Sequence, residues 1–388
     1  MKILYLDINI QYHNPTRNNI VLLLKNISDL YIYGLGYQSE SVLNQGVEEF
    51  YKDNAPFDFI ITNEHIIFGT QNISSNLATT VDAYRRNYYL QFDLSHIRDN
   101  LNDMYDFFQK KEIINRAIFL LESDYYNFQQ QKIDRLKSLN AYIIGWGDSF
   151  LAPVEKLEDL KRESFGAKAN NNWYNFVLKN PQIIQFPHFV NSSEYYFENL
   201  DNRKNTIQVA GTNYYHRKKV LEVISNTKYK SKPKIYPKIY SIMRKLKIKP
   251  DTHPILMRLY NTLFRNEIEQ TKYIFTCGSG LEWAIRKFFE IPALGSLLLA
   301  KPFYNAENLG FIDGKNYIKT DYRDIIDKIE WLQKNPQEAQ EIAKSGQDMI
   351  WKKHSLDARS KQLKKSFEKI IENRFNGTYW KYGEFYVK

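Results

Sequence analysis

The sequence has very little cysteine and no long hydrophobic run. Cys277 is the only cysteine among 388 residues, which excludes a disulfide scaffold or a cysteine-based metal cluster and is typical of a reducing compartment. The longest nearly apolar stretch, 291–300, has ten residues, whereas a helix that spans a bilayer needs about 18 or more. The first residues become charged too early for a signal peptide. We therefore expect a cytoplasmic protein without a membrane span.

Several motifs of nucleotide-binding and hydrolytic sites are also missing. The sequence has no Gly-x-x-x-x-Gly-Lys-Ser/Thr phosphate loop, no Gly-x-Gly-x-x-Gly after the first predicted strand, no Gly-x-Ser-x-Gly elbow and no His-Glu-x-x-His. It also has no Asp-x-Asp pair and no carboxylate triplet spaced for a metal ion. We expect neither a metal nor any other cofactor.

Charge is divided unevenly along the chain. Residues 1–200 carry 18 Lys and Arg against 24 Asp and Glu, a balance of −6, so residues 201–388 carry the remaining 36 against 20, a balance of +16. This asymmetry indicates two units, the second of which faces an anionic partner. The densest cluster, 228–249, has nine Lys or Arg and no acid; it is either a binding surface or a solvated loop.

Short apolar runs alternate with helical patterns through both halves of the chain, which predicts βαβ units and parallel sheets. We predict an α/β fold with two tandem Rossmann-like units that face a central cleft, followed by carboxyl-terminal helices. The predicted boundaries are 1–190 for the first unit, 191–205 for a linker, 206–350 for the second unit, and 351–388 for a terminal helix and tail.

Polar side chains that follow the predicted strands of the first unit are candidates for the cleft, because ligands bind at the carboxyl ends of strands in open α/β sheets. They are His13, His65, His96 and Asp124. Each is either an acceptor-side or proton-transfer residue or an ordinary exposed side chain.

The most informative segment is 273–300. An apolar strand leads into Gly278-Ser279-Gly280 and then into a predicted helix over 281–289, and backbone N–H groups at such a helix start favour an anion. On that helix Glu282 and Glu290 would share one face about 12 Å apart, with Arg286 between them. The same spacing is also found in ordinary helix salt bridges, and both readings stay open on spacing alone.

The pattern Ser279-x-x-Glu282-x7-Glu290-x-x-Ala293-x-Gly295 resembles the Glu-x7-Glu signature of group 1 GT-B glycosyltransferases, and the version from Arg286 to Gly295 resembles their CgeB-like branch. The likeness continues through 307–317, Asn335-Pro336 and 354–359. The likeness covers about 150 residues of the second unit. The first unit resembles the family only in its predicted architecture.

The resemblance implies roles for individual residues. Glu290 would hold the ribose hydroxyls, and Glu282 would lie beside the donor sugar with the turn Gly278–Gly280. The diphosphate would contact Gly211 and the basic helix start at Arg217 and Lys218. Thr212, the residue after Gly211, stands in place of the family's arginine. Related enzymes place a histidine of the first unit near the sugar, and His96 is the first candidate.

The resulting hypothesis is a retaining, metal-independent glycosyltransferase that uses a nucleotide-sugar donor and a glycan or lipid-linked acceptor of bacterial surface polysaccharide, lipopolysaccharide included. Two alternatives remain: a non-catalytic carbohydrate- or nucleotide-binding protein of the same fold, and a nucleic-acid-binding protein. No recognised nucleic-acid module accompanies the basic half, so we expect no nucleic acid partner.

The basic cluster leads into the apolar and aromatic stretch 255–264. Together they predict reversible docking on an anionic membrane surface at the inner face, unless 255–264 is a core helix.

Overall fold

The amino-terminal half of the chain forms a six-stranded parallel sheet. In the computed structural model the described residues are 1–9, 15–63, 66, 93–108, 110, 117–122, 138, 141–146, 180–211, 213–230, 242, 254–278, 282–303 and 306–388. The strands are β1 (Lys2–Leu6), β2 (Asp29–Tyr33), β3 (Phe59–Asn63), β4 (Ala117–Glu122), β5 (Tyr142–Trp146) and β6 (Ile183–Phe186). They pair in the order β2-β1-β3-β4-β5-β6. The accompanying helices are α1 (Pro15–Ile27), α2 (Glu40–Gln45), α3 (Val47–Asn54) and α4 (Leu94–Phe108). Residues 88–92, one of the apolar runs that predict strands in the first half, lie outside the described residues.

The carboxyl-terminal half repeats this plan with a four-stranded parallel sheet. Its strands are β7 (Lys204–Val209), β8 (Thr271–Cys277), β9 (Leu297–Lys301) and β10 (Ile318–Lys319), in the order β10-β9-β8-β7. Its helices are α5 (Tyr215–Ile224), α6 (Pro254–Glu269), α7 (Lys287–Ala293), α8 (Ile325–Lys334) and α9 (Pro336–His354). The predicted linker contains two 3-10 turns, Ser192–Glu194 and Leu200–Asn202, and its last two residues belong to β7. Two parallel α/β units in tandem confirm the predicted fold class.

Both faces of the second sheet are covered, which explains its continuous apolar strands. Ile274 and Leu298 pack into a core on one face, and Phe275 and Leu299 pack into a core on the other. Successive side chains of a strand point to opposite faces, so a strand buried on both sides is largely apolar. The buried polar side chains Gln208 and Thr276 lie one residue before the carboxyl ends of β7 and β8.

The carboxyl-terminal segment returns to the first unit. Helix α10 (Leu356–Ile371) packs on the first sheet, where the rings of Phe59 and Phe367 are 4.7 Å apart. The hairpin β11 (Thr378–Lys381) and β12 (Glu384–Val387) follows, and the Trp380 indole N–H donates to the carbonyl of Gln185 at 3.3 Å. The first unit is thus completed by residues from the opposite end of the chain.

A buried arginine lies where the two halves meet. The guanidinium of Arg359 is fully buried and donates to the carbonyl of His188 at 3.1 Å and to Nδ1 of His354 at 2.7 Å. It also lies over the ring of Trp380, with its carbon 4.8 Å from the ring centroid. This cluster joins the end of β6 to the α9–α10 junction.

Among the described residues, no helix is long and apolar enough to cross a bilayer.

Candidate functional site

The carboxyl edge of the second sheet is built around Gly211 and Arg217. Gly211 follows β7 with φ of 104°, and a Cβ added there would lie 2.8 Å from the guanidinium carbon of Arg217. A larger residue would therefore both strain the backbone and displace this arginine. Thr212, the next residue, lies outside the described residues.

Arg217 is turned into the protein. It is 2% exposed, and its Nη2 donates to the carbonyl of Cys277 and, at 3.4 Å, to the hydroxyl of Thr276. Burial lowers its pKa. The guanidinium thus ties the first turn of α5 to the end of β8, while Lys218 beside it is exposed. A diphosphate-binding role for either residue stays a prediction.

Gly278 ends β8 in a tight turn. A Cβ there would lie 2.4 Å from both the backbone nitrogen and the backbone oxygen of Trp283, whose N–H donates to the Gly278 carbonyl at 2.9 Å. The close return of the chain over position 278 therefore requires glycine. Ser279 and Gly280 lie outside the described residues.

The prediction of a helix over 281–289 is wrong, because residues 282–286 are not helical. Helix α7 begins only at Lys287, and Glu282 has φ of 51° in the turn before it. A right-handed helix needs φ near −60°, and the Gly278–Trp283 hydrogen bond stabilises the turn instead. Glu282 and Glu290 therefore do not share a helix face, and the separation of about 12 Å derived from that geometry does not apply.

Glu282 contacts a lysine and, through it, a histidine. Its Oε1 lies 3.6 Å from Nζ of Lys301, the last residue of β9. The same ammonium lies 2.9 Å from Nε2 of His216, in the first turn of α5. Three elements that are distant in sequence meet at this point of the sheet edge.

A cavity of about 700 Å³ opens beside this cluster. Its polar walls come from the ends of β9 and β10 and from the start of α8, and they include Glu282, Lys301, Lys319, Asp321, Arg323 and Lys328. Asp321 and Arg323 contact each other, and this contact lowers the pKa of the Asp321 carboxyl. The cavity has the size of a small-molecule site and lies where open α/β sheets bind their ligands.

Glu290 belongs to a second charged cluster. One carboxylate oxygen contacts Nζ of Lys287, and the other accepts a hydrogen bond from Nε of Arg286 at 3.0 Å. Arg286 also contacts Glu194, in the first 3-10 turn of the linker. Burial alone would raise the pKa of Glu290, but the two cations lower it to about 2. The predicted Arg286–Glu290 pair thus forms, although Glu290 is not among the described residues that line the cavity.

His188 lies beside the same cluster. Burial, followed in importance by the charge of Arg286, lowers the pKa of its imidazole to about 3. The ring is therefore neutral near pH 7, and its centroid lies 6.3 Å from that of Phe289. Together Glu194 and His188 connect α7 to the linker region.

Among the described residues, the structure brings no candidate residue of the first unit to this site. His96 is exposed in the first turn of α4, and His13, His65 and Asp124 lie outside the described residues. In the described part of the chain, no group of three or more His, Cys, Asp or Glu side chains is arranged to hold a metal ion.

Sequence reasoning missed His216 and Lys301. The signal for Lys301 was available, because a lysine ends the otherwise apolar strand Leu-Leu-Leu-Ala-Lys. His216 carried no such signal, since its importance comes from a contact across 85 residues of sequence.

A family described as glycosyl transferase-like matches residues 253–365, the segment that contains Glu282, Glu290 and Lys301. The match confirms the predicted enzyme class, a glycosyltransferase, at the level of this segment, and the CgeB-like branch stays a prediction. A search of curated proteins finds no match.

Three solved structures illustrate the structural likeness. A glycosyltransferase from Rickettsia africae is 14% identical with a TM-score of 0.45, over 96% of this chain and 99% of that chain. HepE of Anabaena in complex with UDP and glucose is 11% identical with a TM-score of 0.43, over 95% and 99%. Sucrose-phosphate synthase from Thermosynechococcus elongatus is 10% identical with a TM-score of 0.44, over 96% and 100%.

Proposed function

We propose that this chain transfers a sugar from a nucleotide-sugar donor to a hydroxyl of a glycan or lipid-linked acceptor in bacterial surface polysaccharide synthesis. The bond between the anomeric carbon and the donor phosphate breaks, and its electron pair stays on the phosphate oxygen. The anomeric carbon bonds to the acceptor oxygen, which loses its proton to water or a protein base. We further propose that the reaction retains the anomeric configuration and needs no metal.

The observation that carries this proposal is the position of the cavity. It lies at the carboxyl ends of β9 and β10, inside the segment that matches glycosyltransferase-like proteins, and Glu282 is on its wall. A carboxylate accepts hydrogen bonds from sugar hydroxyls, and the surrounding lysines suit a phosphorylated donor. Glu282 is therefore the residue that we place beside the donor sugar.

Glu290 has a supporting role in this proposal. Its oxygens contact Arg286 and Lys287, so it fixes these two cations near the linker. The carboxylate of Glu290 has further lone pairs that can accept hydrogen bonds. A contact with the ribose hydroxyls therefore stays a prediction for this residue.

A thermal-shift screen with UDP-, GDP-, CMP- and dTDP-sugars tests the proposal. A ligand at a hundred times its Kd stabilises the folded state by about 2.7 kcal/mol, so we expect one nucleotide class to raise the Tm. Failure of all four classes would overturn the proposal. Selective binding without release of the nucleoside phosphate, with water or a glycan extract as acceptor, would instead favour the non-catalytic protein.

We also propose reversible docking on an anionic membrane surface. On α6 the side chains of Ile255 and Leu259 are 71% and 47% exposed, and residues four apart share one side of a helix. This exposure favours a docking face over a core helix. Lys228 and Lys230 begin the basic cluster, and its other seven cations lie outside the described residues.

Co-sedimentation with phosphatidylcholine vesicles, with and without phosphatidylserine, tests the docking face. We expect binding only with phosphatidylserine, release as salt rises, and loss of binding when Ile255 and Leu259 are both changed to Ser. Ile371→Ser is the matched control, because Ile371 is 51% exposed at the end of α10. Equal binding by all three proteins would show that α6 is not the docking face.

A further inference from the structure

Lys301 is a charged residue at the end of a buried strand. The four preceding residues of β9 are buried, and the lysine side chain is 24% exposed at the sheet edge. Its ammonium contacts an acid from the turn after β8 and an imidazole from the first turn of α5. The charge is thus held at one place by groups from two other elements.

The contacts of Lys301 leave part of its binding capacity for a ligand. An ammonium carries three N–H donors; His216 lies at hydrogen-bond distance of Nζ, and Glu282 at 3.6 Å is an ion-pair contact. A remaining donor can reach a group in the cavity that Lys301 lines. Because Glu282 lies on the same wall, a ligand held by Lys301 would also lie beside this carboxylate.

Several other cations near this sheet edge are engaged within the protein, although Lys319 and Lys328 also line the cavity. Arg217 is buried and donates to the backbone of Cys277. Arg323 contacts the carboxylate of Asp321, and the cations of α7 and the turn before it contact Glu290. Lys301 therefore combines a place on the cavity wall with a direct contact to Glu282.

We propose that Lys301 binds the diphosphate of the donor and that Glu282 and His216 hold its ammonium in position. This inference rests on the proposed function and specifies how its donor is held. When the bond to the anomeric carbon breaks, negative charge grows on the phosphate oxygen that keeps the electron pair. A fixed ammonium at that oxygen stabilises this charge without reorganisation.

Isothermal titration of Lys301→Met tests the proposal with three probes: inorganic pyrophosphate, the nucleoside diphosphate that binds the wild type, and the corresponding nucleoside. A hydrogen bond to a charged group is strong enough that its loss weakens binding about tenfold or more. We expect this loss for pyrophosphate and for the nucleoside diphosphate, and unchanged affinity for the nucleoside. Lys301→Arg should restore most of the diphosphate affinity.

Lys272→Met is the matched control. Lys272 is also a lysine of a central strand, its side chain is 16% exposed, and its ammonium lies 3.1 Å from Asp201. It stands near the start of β8, at the opposite edge of the sheet, so its loss should leave all three affinities unchanged. Lys301→Gln keeps a polar side chain without the charge and serves if Lys301→Met does not fold.

The outcomes separate this inference from the proposed function. If the wild type binds a nucleoside diphosphate and the uncharged Lys301 variants bind it equally well, Lys301 is not the diphosphate residue and the function stands. Equal weakening of nucleoside and nucleoside diphosphate also refutes it, because the loss would not concern phosphate. A wild type that binds no nucleoside diphosphate and transfers no sugar overturns the function itself.

Discussion

Replacing Glu290 with glutamine tests the charged cluster at the start of α7. The change keeps the volume of the side chain and removes the charge that holds Lys287 and Arg286. The pKa of Glu290 is lowered from 4.5 to about 2; at about 1.4 kcal/mol per unit of pKa, this corresponds to about 3 kcal/mol of stability near pH 7. Breaking a buried ion pair on one side costs about the same, roughly 3–5 kcal/mol.

Thermal unfolding measures this loss. For a unit of this size, 1 kcal/mol shifts the Tm by roughly 2–4 °C, so we expect Glu290→Gln to lower the Tm by about 6–12 °C at pH 7. Glu222→Gln is the control, because Glu222 pairs with Lys219 on the exposed surface of α5, where solvent screens the pair, so its loss should leave the Tm nearly unchanged.

The Tm difference between wild type and Glu290→Gln should also depend on pH in a defined direction. A carboxyl group whose pKa is lowered in the folded state stabilises that state above its unfolded pKa, and this stabilisation is lost as the pH falls through the folded pKa. The Tm difference between wild type and Glu290→Gln should therefore be full at pH 6 to 7 and shrink from about pH 4.5 toward pH 2. A difference below about 2 °C at pH 7, or one that does not change with pH, would refute this reasoning.

Three further predictions concern other parts of the molecule. Gly278→Ala should lower the Tm and donor affinity together, because the new methyl group meets the backbone of Trp283; a wild-type Tm measured by calorimetry would contradict the turn geometry. Arg359→Met should cost about 3 kcal/mol or more in chemical denaturation, since it leaves the His188 carbonyl and the His354 ring without their buried donor; a loss under about 1 kcal/mol would contradict this. Excess EDTA should leave the transfer rate unchanged, and a rate that stops and resumes with added Mg²⁺ or Mn²⁺ would show that a metal takes part.

The architecture could be predicted because it depends on local patterns. Apolar runs such as 297–300 are continuous because both faces of a parallel sheet are buried, and the structure has β9 at this position. Asn335-Pro336 separates α8 from α9, and this boundary is a local signal, since proline is favoured in the first turn of a helix. These features need no knowledge of distant contacts.

The geometry around Glu282 could not be predicted in the same way. Residues 281–289 have helical spacing, but the hydrogen bond from Trp283 to Gly278 gives Glu282 a positive φ and delays the helix to Lys287. The partners of the charged residues also come from afar: Lys301 reaches Glu282 from the next strand, and Glu194 reaches Arg286 from the linker. Spacing along one helix contains no information about such contacts.

Donor turnover by a Glu282→Gln variant tests the central claim most directly, namely that the cavity at the carboxyl ends of β9 and β10 is the donor-sugar site. The measurement is the release of nucleoside phosphate from the sugar nucleotide that stabilises the wild type, with Glu222→Gln as the control. We expect Glu282→Gln to lower kcat by about a hundredfold and donor affinity by less, since glutamine still accepts hydrogen bonds from the sugar hydroxyls but no longer pairs with the charge of Lys301. A wild-type kcat in a folded Glu282→Gln protein would contradict the assignment of this cavity.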